Sequence, residues 1–276
     1  MTSEPVEVGH QHYSLKHKVV AWVSQSLFDN VTYTVRHGIL KGLRRRGGLG
    51  WTPEWLVGKG ETEEHHYFRH LDLRGKVVYD VGAFVGLFAL HCSRTAERVI
   101  CYEPLDTTRA RLTENLALNA VRNVDIRPFG VGRERAMLRI SFDPLMPGGA
   151  SLSQGISAAI ATTRTSQTRE IQVTTLDGDI VDAKLPPPDF IKIDIEGFEL
   201  DALIGARHTL VTHHPTLYLE MHGETMTEKR AKVRNIVAFL AEIGYGHIHH
   251  LESGTRITDA NSDEAAQGHL VCTWLE

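Results

Sequence analysis

The sequence contains few cysteines, and their scarcity excludes a fold that is held together by disulfide bonds. Cys92, Cys101 and Cys272 are the three present, and two of them lie within apolar runs. A disulfide scaffold needs a denser, paired set, so we expect buried free thiols and a cytoplasmic location. Residues 1–10 are polar and acidic and do not have the pattern of a secretory signal.

Long apolar runs and an excess of basic residues are also missing. No stretch reaches the roughly 18 apolar residues that a transmembrane helix needs. The formal net charge is −4, which argues against nucleic acid as a main partner, because nucleic-acid-binding proteins present a basic surface. The chain has 276 residues, 42% hydrophobic and 23% charged, which suits one large globular α/β domain with an extension.

The most informative stretch is residues 77–90, which read VVYDVGAFVGLFAL. They predict a buried strand, a tight glycine-containing turn and then a helix, which together form a backbone cradle for a ligand. The spacing from Asp80 to Gly82 and Gly86 lacks the first glycine of the dinucleotide fingerprint and has a carboxylate in its place. A carboxylate would repel a pyrophosphate but tolerate a cationic ligand.

A second acid follows at the distance at which ribose-binding carboxylates are found. Glu103, followed by Pro104, ends the next predicted strand, 23 residues after Asp80, and could accept both hydroxyls of a ribose. The two acids indicate a nucleoside with a cationic, non-phosphate end, such as S-adenosylmethionine. One alternative is a nicotinamide-dependent oxidoreductase, against which the missing glycine and Asp80 argue. The other is a pair of ordinary strand ends that face solvent.

Strand and helix patterns alternate along residues 60–276, which predicts a mostly parallel sheet with helices on both faces. Two late strands, over 245–250 and 269–274, would close that sheet as a hairpin-like pair. Residues 143–170 break the alternation with a stretch rich in Pro, Gly, Ser and Thr. A long loop of this kind is either a lid over the substrate or disordered.

Residues 1–59 are predicted to form a helical extension, with one helix over 14–28 and a shorter one leading to Leu43. They contain eight Lys/Arg and four Asp/Glu, a net charge of +4. This is either a solvated basic face or a surface that docks peripherally on lipid headgroups or an acidic substrate. Trp51 and Trp55 would then contact a sugar or a lipid interface, and a non-catalytic membrane-surface or partner-binding module is a further alternative.

Two more buried strands are followed by titratable residues. Asp194 and Glu196 come after residues 190–193, and Glu220 and His222 come after residues 216–219. The carboxyl ends of parallel strands meet in one crevice, so these side chains should converge there. Asp194, Glu220 and His222 could hold Mg²⁺ or Mn²⁺. Without a cation, His222 would be the general base, oriented by Glu220 or Glu196.

These motifs resemble those of the FkbM family of S-adenosylmethionine-dependent O-methyltransferases. The resemblance spans roughly residues 64–222, and its most specific part is the segment IKIDIEG at residues 191–197. It implies a class I methyltransferase fold, in which a seven-stranded sheet with an antiparallel last strand is flanked by helices. It also implies methylation of hydroxyls, often on sugars, polyketides or glycolipids.

The resemblance assigns roles to individual residues. Asp194 and Glu196 would lie beside the transferred methyl group, and the base expected from the strand-end pattern, His222, completes the predicted catalytic residues. By the resemblance, the cofactor contacts would be Asp80, Gly82, Gly86 and Glu103, and we expect their neighbours Ala83 and Pro104 to contribute as well. A homodimer is the default assembly, because two-fold dimers are the most common soluble oligomers.

Overall fold

The protein is described by a computed structural model that covers residues 29–47, 62–143, 146–152, 166–223 and 225–275, without the side chains of 146–149. The strands in these ranges are β1 (Thr32–Thr34), β2 (Arg44–Arg46), β3 (Val77–Val81), β4 (Arg98–Tyr102), β5 (Val124–Arg127), β6 (Gly130–Val131), β7 (Ala136–Asp143), β8 (Met146–Ser151), β9 (Gln167–Thr174), β10 (Phe190–Ile193), β11 (Thr216–Glu220), β12 (His247–His250) and β13 (His269–Thr273). The α-helices are α1 (Glu63–His70), α2 (Leu87–Cys92), α3 (Asp106–Leu118), α4 (Leu176–Ala183), α5 (Glu199–Gly205), α6 (Arg207–His213) and α7 (Met226–Glu242).

The central sheet has seven strands in the order β12-β13-β11-β10-β3-β4-β5. Its strands run parallel except β13, which pairs antiparallel with both β11 and β12. The predicted sheet with an antiparallel last strand is confirmed, as is the closing pair of strands. This is the sheet of class I methyltransferases.

Strands β3 and β10 lie at the centre of the sheet, and every residue of both is buried. Near-continuous apolar runs are typical of parallel strands that are covered on both faces. Because side chains alternate between faces, Tyr79 joins the core on one face and Val78 the core on the other. The three cysteines are buried and unpaired, as predicted. No helix in the described part of the chain is long and apolar enough to cross a membrane.

Threonines fix the starts of helices on both sides of the sheet. The hydroxyl of Thr62 accepts from the amide of His65 at 3.2 Å, and α1 begins at the next residue. The hydroxyl of Thr225 accepts from the amide of Glu228 at 3.1 Å at the start of α7. An N-cap of this type is worth about 1 kcal/mol.

A second sheet of four strands, in the order β6-β9-β7-β8, extends from the domain. Here the prediction of one uninterrupted loop over 143–170 is wrong at both ends, because 146–151 form β8 and β9 begins at Gln167. The sequence did not predict this strand because Pro147 and the two glycines that follow it are typical of loops. Strand β8 is an edge strand of this sheet, a position where proline is tolerated. Residues 153–165 lie outside the described residues.

The described part of the extension is a β-hairpin, so the helix predicted to lead to Leu43 is wrong. Strands β1 and β2 pair antiparallel, and the hairpin docks on α3 through side-chain amides. The amide of Arg46 donates to Oδ1 of Asn115, and the amide of Arg44 donates to Oδ1 of Asn119, both at 2.8 Å. This long-range docking outweighs local helix preference. The predicted helix over 14–28, Trp51 and Trp55 lie outside the described residues.

A buried ion pair ties the sheet to α4, and we expect Asp179→Ala to lower the free energy of unfolding by about 3 kcal/mol. Arg127 donates to both oxygens of Asp179, at 2.8 and 2.6 Å, and the hydroxyl of Tyr102 donates at 2.9 Å. The substitution leaves these donors without an acceptor. Urea unfolding measures the loss. The control is Asp182→Ala on the same helix, whose exposed pair with Arg135 should contribute at most about 1 kcal/mol.

Candidate active site

A cleft at the carboxyl end of the central sheet is built around the turn that follows β3. Gly82 has φ 88°, and a Cβ added there would lie 2.0 Å from the carbonyl oxygen of Asp194. Only glycine therefore fits where this turn meets the segment after β10. Gly86, with φ 81°, ends the turn as the N-cap of α2. The predicted strand, glycine turn and helix are confirmed.

The amides of this turn are used within the protein. Gly82 and Ala83 both donate to the carbonyl of Tyr102, at 3.1 and 3.0 Å. The amide of Phe84 donates to Oε2 of Glu103 at 2.9 Å. A pyrophosphate cradle presents free N–H groups to its ligand, and these three amides are not free. The turn is therefore suited to a ligand without a phosphate at this point.

Glu103 lines the cleft beside this turn, directly after β4. Its Oε1 accepts from the amide of Leu105 at 2.9 Å and from the hydroxyl of Thr108 at 2.7 Å. Burial raises the pKa of Glu103 to about 7, although the hydrogen bonds from Thr108, Leu105 and Phe84 oppose that shift. Each carboxylate oxygen has two lone pairs, so Oε2, with one described donor, can also accept from a ligand hydroxyl.

Asp80 does not line the cleft, which corrects the position expected from the motif. It is 0% exposed, and its neighbours across the sheet are Lys192 on β10 and Cys101 on β4. Burial raises the pKa of Asp80 to about 6, while the charge of Lys192 opposes the shift. The carboxylate lies on the face of the sheet that also carries Val78.

The remaining cleft wall combines apolar side chains with acids. Phe129, Ile140 and Leu152 line one part, the last two contributed by the four-stranded sheet. Pro104 also lines the cleft, next to Glu103. An apolar wall with few polar groups is typical of sites for small organic ligands.

The predicted acids and histidine after β10 and β11 come together beside this cleft. Asp194 and Glu196 line it. Asp194, Glu220 and His222 each offer one ligand atom, and these atoms all lie within 4.8 Å of one another. The sequence-based prediction that these three side chains converge is confirmed by this geometry. Two carboxylate oxygens and one imidazole nitrogen are a donor set suited to Mg²⁺ or Mn²⁺.

His222 is buried among carboxylates. Its Nδ1 lies 2.9 Å from Oε1 of Glu199, and its Nε2 lies 3.4 Å from Glu220, 3.7 Å from Glu196 and 3.8 Å from Asp194. Burial alone would lower the pKa of His222, but the hydrogen bonds to Glu199 and Glu220 and the nearby charges raise it well above its usual value. With no cation bound, this shift favours the protonated imidazole, a form that cannot accept a proton.

Glu196 has the left-handed backbone conformation that is rare for a residue with a side chain. Its φ is 52°, and such conformations are found at functional sites where the surrounding contacts enforce them. The hydroxyl of Ser151 on β8 donates to the carbonyl of Glu196 at 2.6 Å, which links the four-stranded sheet to this turn. Burial raises the pKa of the Glu196 carboxyl to about 7, and His222 opposes the shift.

Sequence reasoning missed several partners of the predicted residues. Lys192 donates to Oδ2 of Asp194 at 2.6 Å. Lys192 lies within the motif, but its strand has the apolar pattern of a buried strand, and no partner was predicted for it. Glu199 lies two residues after that motif, and no role was predicted for it. His269 lies 3.7 Å from Glu220, and no local signal could have connected residues on β13 and β11 before the sheet order was known.

The comparison with known proteins agrees with this geometry. The family described as "Methyltransferase FkbM domain" matches residues 80–246. "Methyltransferase 1" of Beauveria bassiana is 26% identical over 144 residues, which cover 46% of this chain and 57% of that protein. "Hexuronic acid methyltransferase AglP" of Haloferax volcanii is 31% identical over 136 residues, which cover 49% of this chain and 51% of that protein.

A solved structure shows the same fold. The crystal structure of methyltransferase FkbM from Methylobacillus flagellatus matches with a TM-score of 0.50 and 22% identity, over 81% of this chain and 50% of that one. The chain spans about half the length of the curated relatives it matches. The family match covers more than half of the chain and includes the cradle turn, Glu103, Asp194 and His222. The chain therefore belongs to the FkbM family of methyltransferases, whose cofactor is S-adenosylmethionine.

Proposed function

We propose that this chain transfers the methyl group of S-adenosylmethionine to a hydroxyl oxygen of a saccharide, a glycolipid or a related natural product. One observation carries the proposal, namely that the ribose-type acceptor Glu103 and the acids Asp194 and Glu196 line a single cleft. Glu220 and His222 adjoin that cleft through Asp194. A cofactor at one end and an activating group at the other is the arrangement that methyl transfer to oxygen needs.

The cleft fits the cofactor by its chemistry. S-Adenosylmethionine, when bound, supplies a methyl group on a sulfonium cation. Glu103 can accept the ribose hydroxyls, and Phe129 and Leu152 offer an apolar surface for a flat base. Asp194 and Glu196 provide negative charge in the same cleft, which favours a cation and not a pyrophosphate.

We assign Asp194, Glu220 and His222 as the residues that would hold a divalent cation. A bound Mg²⁺ or Mn²⁺ lowers the pKa of a hydroxyl that it contacts. Glu196 lines the cleft next to these residues and is placed to take up the hydroxyl proton. The hydrogen bond from Ser151 to the carbonyl of Glu196 holds the end of β8 next to this acid.

The saccharide acceptor is supported by the name of one relative, a hexuronic acid methyltransferase. The test is transfer of labelled methyl from S-adenosylmethionine to a panel of neutral sugars, uronic acids, glycolipids and polyketide alcohols. The expected product is an alkali-stable methyl ether. An alkali-labile methyl ester on a uronic acid would contradict transfer to a hydroxyl. Peripheral membrane contact through residues 1–59 and a homodimer stay predictions.

We expect Glu103→Gln to weaken the binding of S-adenosylhomocysteine about 10–100-fold, because a hydrogen bond to a charged acceptor contributes about 1.5–3 kcal/mol. The wild-type affinity should also depend on pH. The pKa of Glu103 is about 7, and the ionised carboxylate is the better acceptor, so affinity should be full above pH 7 and fall below it. Calorimetry between pH 6 and pH 8 measures both effects. An equally steep fall in Glu103→Gln would assign the pH dependence to another group.

A further inference from the structure

Asp194, His222 and Glu220 share a second feature. Each has two O or N atoms that could bind a cation, and in each side chain one of the two contacts a different charged residue. Oδ2 of Asp194 accepts from Lys192 at 2.6 Å, and its Oδ1 is the atom that faces Nε2 of His222. Nδ1 of His222 lies 2.9 Å from Oε1 of Glu199, and its Nε2 faces the carboxylates. The contact of Lys192 with Oδ2 of Asp194 leaves Oδ1 directed toward the candidate cation site. The contact of Glu199 with Nδ1 of His222 does the same for Nε2.

Glu220, the third candidate ligand, has the same arrangement, in which its partner His269 is itself held by another residue. Oε1 of Glu220 lies 3.4 Å from Nε2 of His222, and its Oε2 lies 3.7 Å from Nε2 of His269. His269 is fixed in turn by Glu252, which accepts from its amide at 3.0 Å and contacts its Nδ1 at 2.5 Å. The ring of His269 also stacks on Tyr218, with centroids 5.0 Å apart.

The three partner side chains are shielded from water. The exposed fractions of the Lys192, Glu199 and His269 side chains are 8%, 2% and 15%. Salt therefore screens their contacts with the ligands less than it screens surface ion pairs. Ligand side chains that are held in one orientation lose less conformational freedom when a cation binds.

We propose that Lys192, Glu199 and His269 are positioning residues that orient Asp194, His222 and Glu220, respectively, toward a shared divalent cation. This inference rests on the proposed cation site. Partners of this kind typically account for about 10–100-fold in metal affinity. A purely structural ion pair would instead affect the stability of the fold and leave the affinity for a cation unchanged.

The test is the affinity of the full chain for Mn²⁺ alone, measured by electron paramagnetic resonance without cofactor or acceptor. Two substitutions at one position separate positioning from packing. His269→Gln keeps a donor near the place of Nε2, toward Glu220, whereas His269→Asn keeps one only near the place of Nδ1, toward Glu252. Lys192→Met tests the orientation of Asp194, and Glu199→Gln tests the orientation of His222. Lys76→Met is the matched control. Lys76 precedes β3 and pairs at 3.1 Å with Asp189, which precedes β10, so this ion pair lies at the end of the sheet opposite the candidate cation site.

We expect Lys192→Met, Glu199→Gln and His269→Asn to bind Mn²⁺ about 10–100-fold more weakly than wild type, with His269→Gln and Lys76→Met close to wild type. Wild-type affinity in His269→Asn, Glu199→Gln and Lys192→Met would overturn the inference and leave the cation site intact. A wild-type chain that does not bind Mn²⁺ would overturn the cation site and the inference with it. If Lys192→Met does not fold, the two variants at position 269 still decide the result.

Discussion

Asp194→Asn is expected to reduce methyl transfer about 10²–10⁴-fold while it leaves the affinity for S-adenosylhomocysteine close to wild type. Losses of this size follow when a group that acts on the transferred proton or on developing charge is removed. Asparagine has the shape of aspartate, so its carbonyl can still accept from Lys192, which now donates at 2.6 Å. Its other group would be an uncharged amide where Oδ1 faces His222, and an amide nitrogen does not bind a cation.

The measurement combines turnover with calorimetry of S-adenosylhomocysteine. The control is Asp201→Asn, which removes a carboxylate paired with Arg133 and does not line the cleft; its turnover should match wild type. Equal losses of turnover and of cofactor affinity in Asp194→Asn would place Asp194 in the cofactor contact and not in the chemical step.

Gly82→Ala is expected to abolish measurable cofactor binding and to destabilise the fold by about 2–5 kcal/mol. Two terms add. An alanine in a left-handed conformation, here φ 88°, costs about 1–2 kcal/mol. A Cβ at 2.0 Å from the carbonyl oxygen of Asp194 and 2.9 Å from Ile195 forces the cradle turn away from the segment after β10, which costs about 1–3 kcal/mol more.

Gly75→Ala separates these terms. Gly75 has φ 67°, and an added Cβ there meets nothing within 4 Å, so this variant carries the conformational cost without the collision. We expect it to lose about 1–2 kcal/mol and to keep wild-type affinity for S-adenosylhomocysteine. Urea unfolding and calorimetry on both variants make the comparison. Equal effects in the two variants would show that the contact between Gly82 and Asp194 does not shape the site.

The sheet and the convergence of Asp194, Glu220 and His222 could be predicted from the sequence. Buried parallel strands can be recognised from their apolar runs, and their carboxyl ends meet at one edge. Gly82 could be recognised because a tight turn after such a strand needs a residue that tolerates positive φ. These predictions depend on local patterns and on one rule of topology.

Other features were misjudged because tertiary contacts decide them. The alternation of side chains along β3 places Asp80 with Val78, away from the cleft, and the motif alone did not reveal the face. The hairpin of residues 32–46 depends on Asn115 and Asn119 of α3, which are distant in sequence. The role of His222 as a base stays a prediction, and the sequence pattern did not show that carboxylates of α5 and β11 contact the imidazole and raise its pKa.

The measurement that tests the central claim most directly is methyl transfer to a saccharide acceptor after removal of divalent cations, followed by stepwise addition of Mg²⁺ or Mn²⁺. The account predicts that activity disappears in the metal-free wild type and returns as the cation is added, and that Asp194→Asn shows no such recovery. It also predicts unchanged binding of S-adenosylhomocysteine in the metal-free protein. Full methyl transfer without any divalent cation would contradict the assignment of Asp194, Glu220 and His222 as cation ligands.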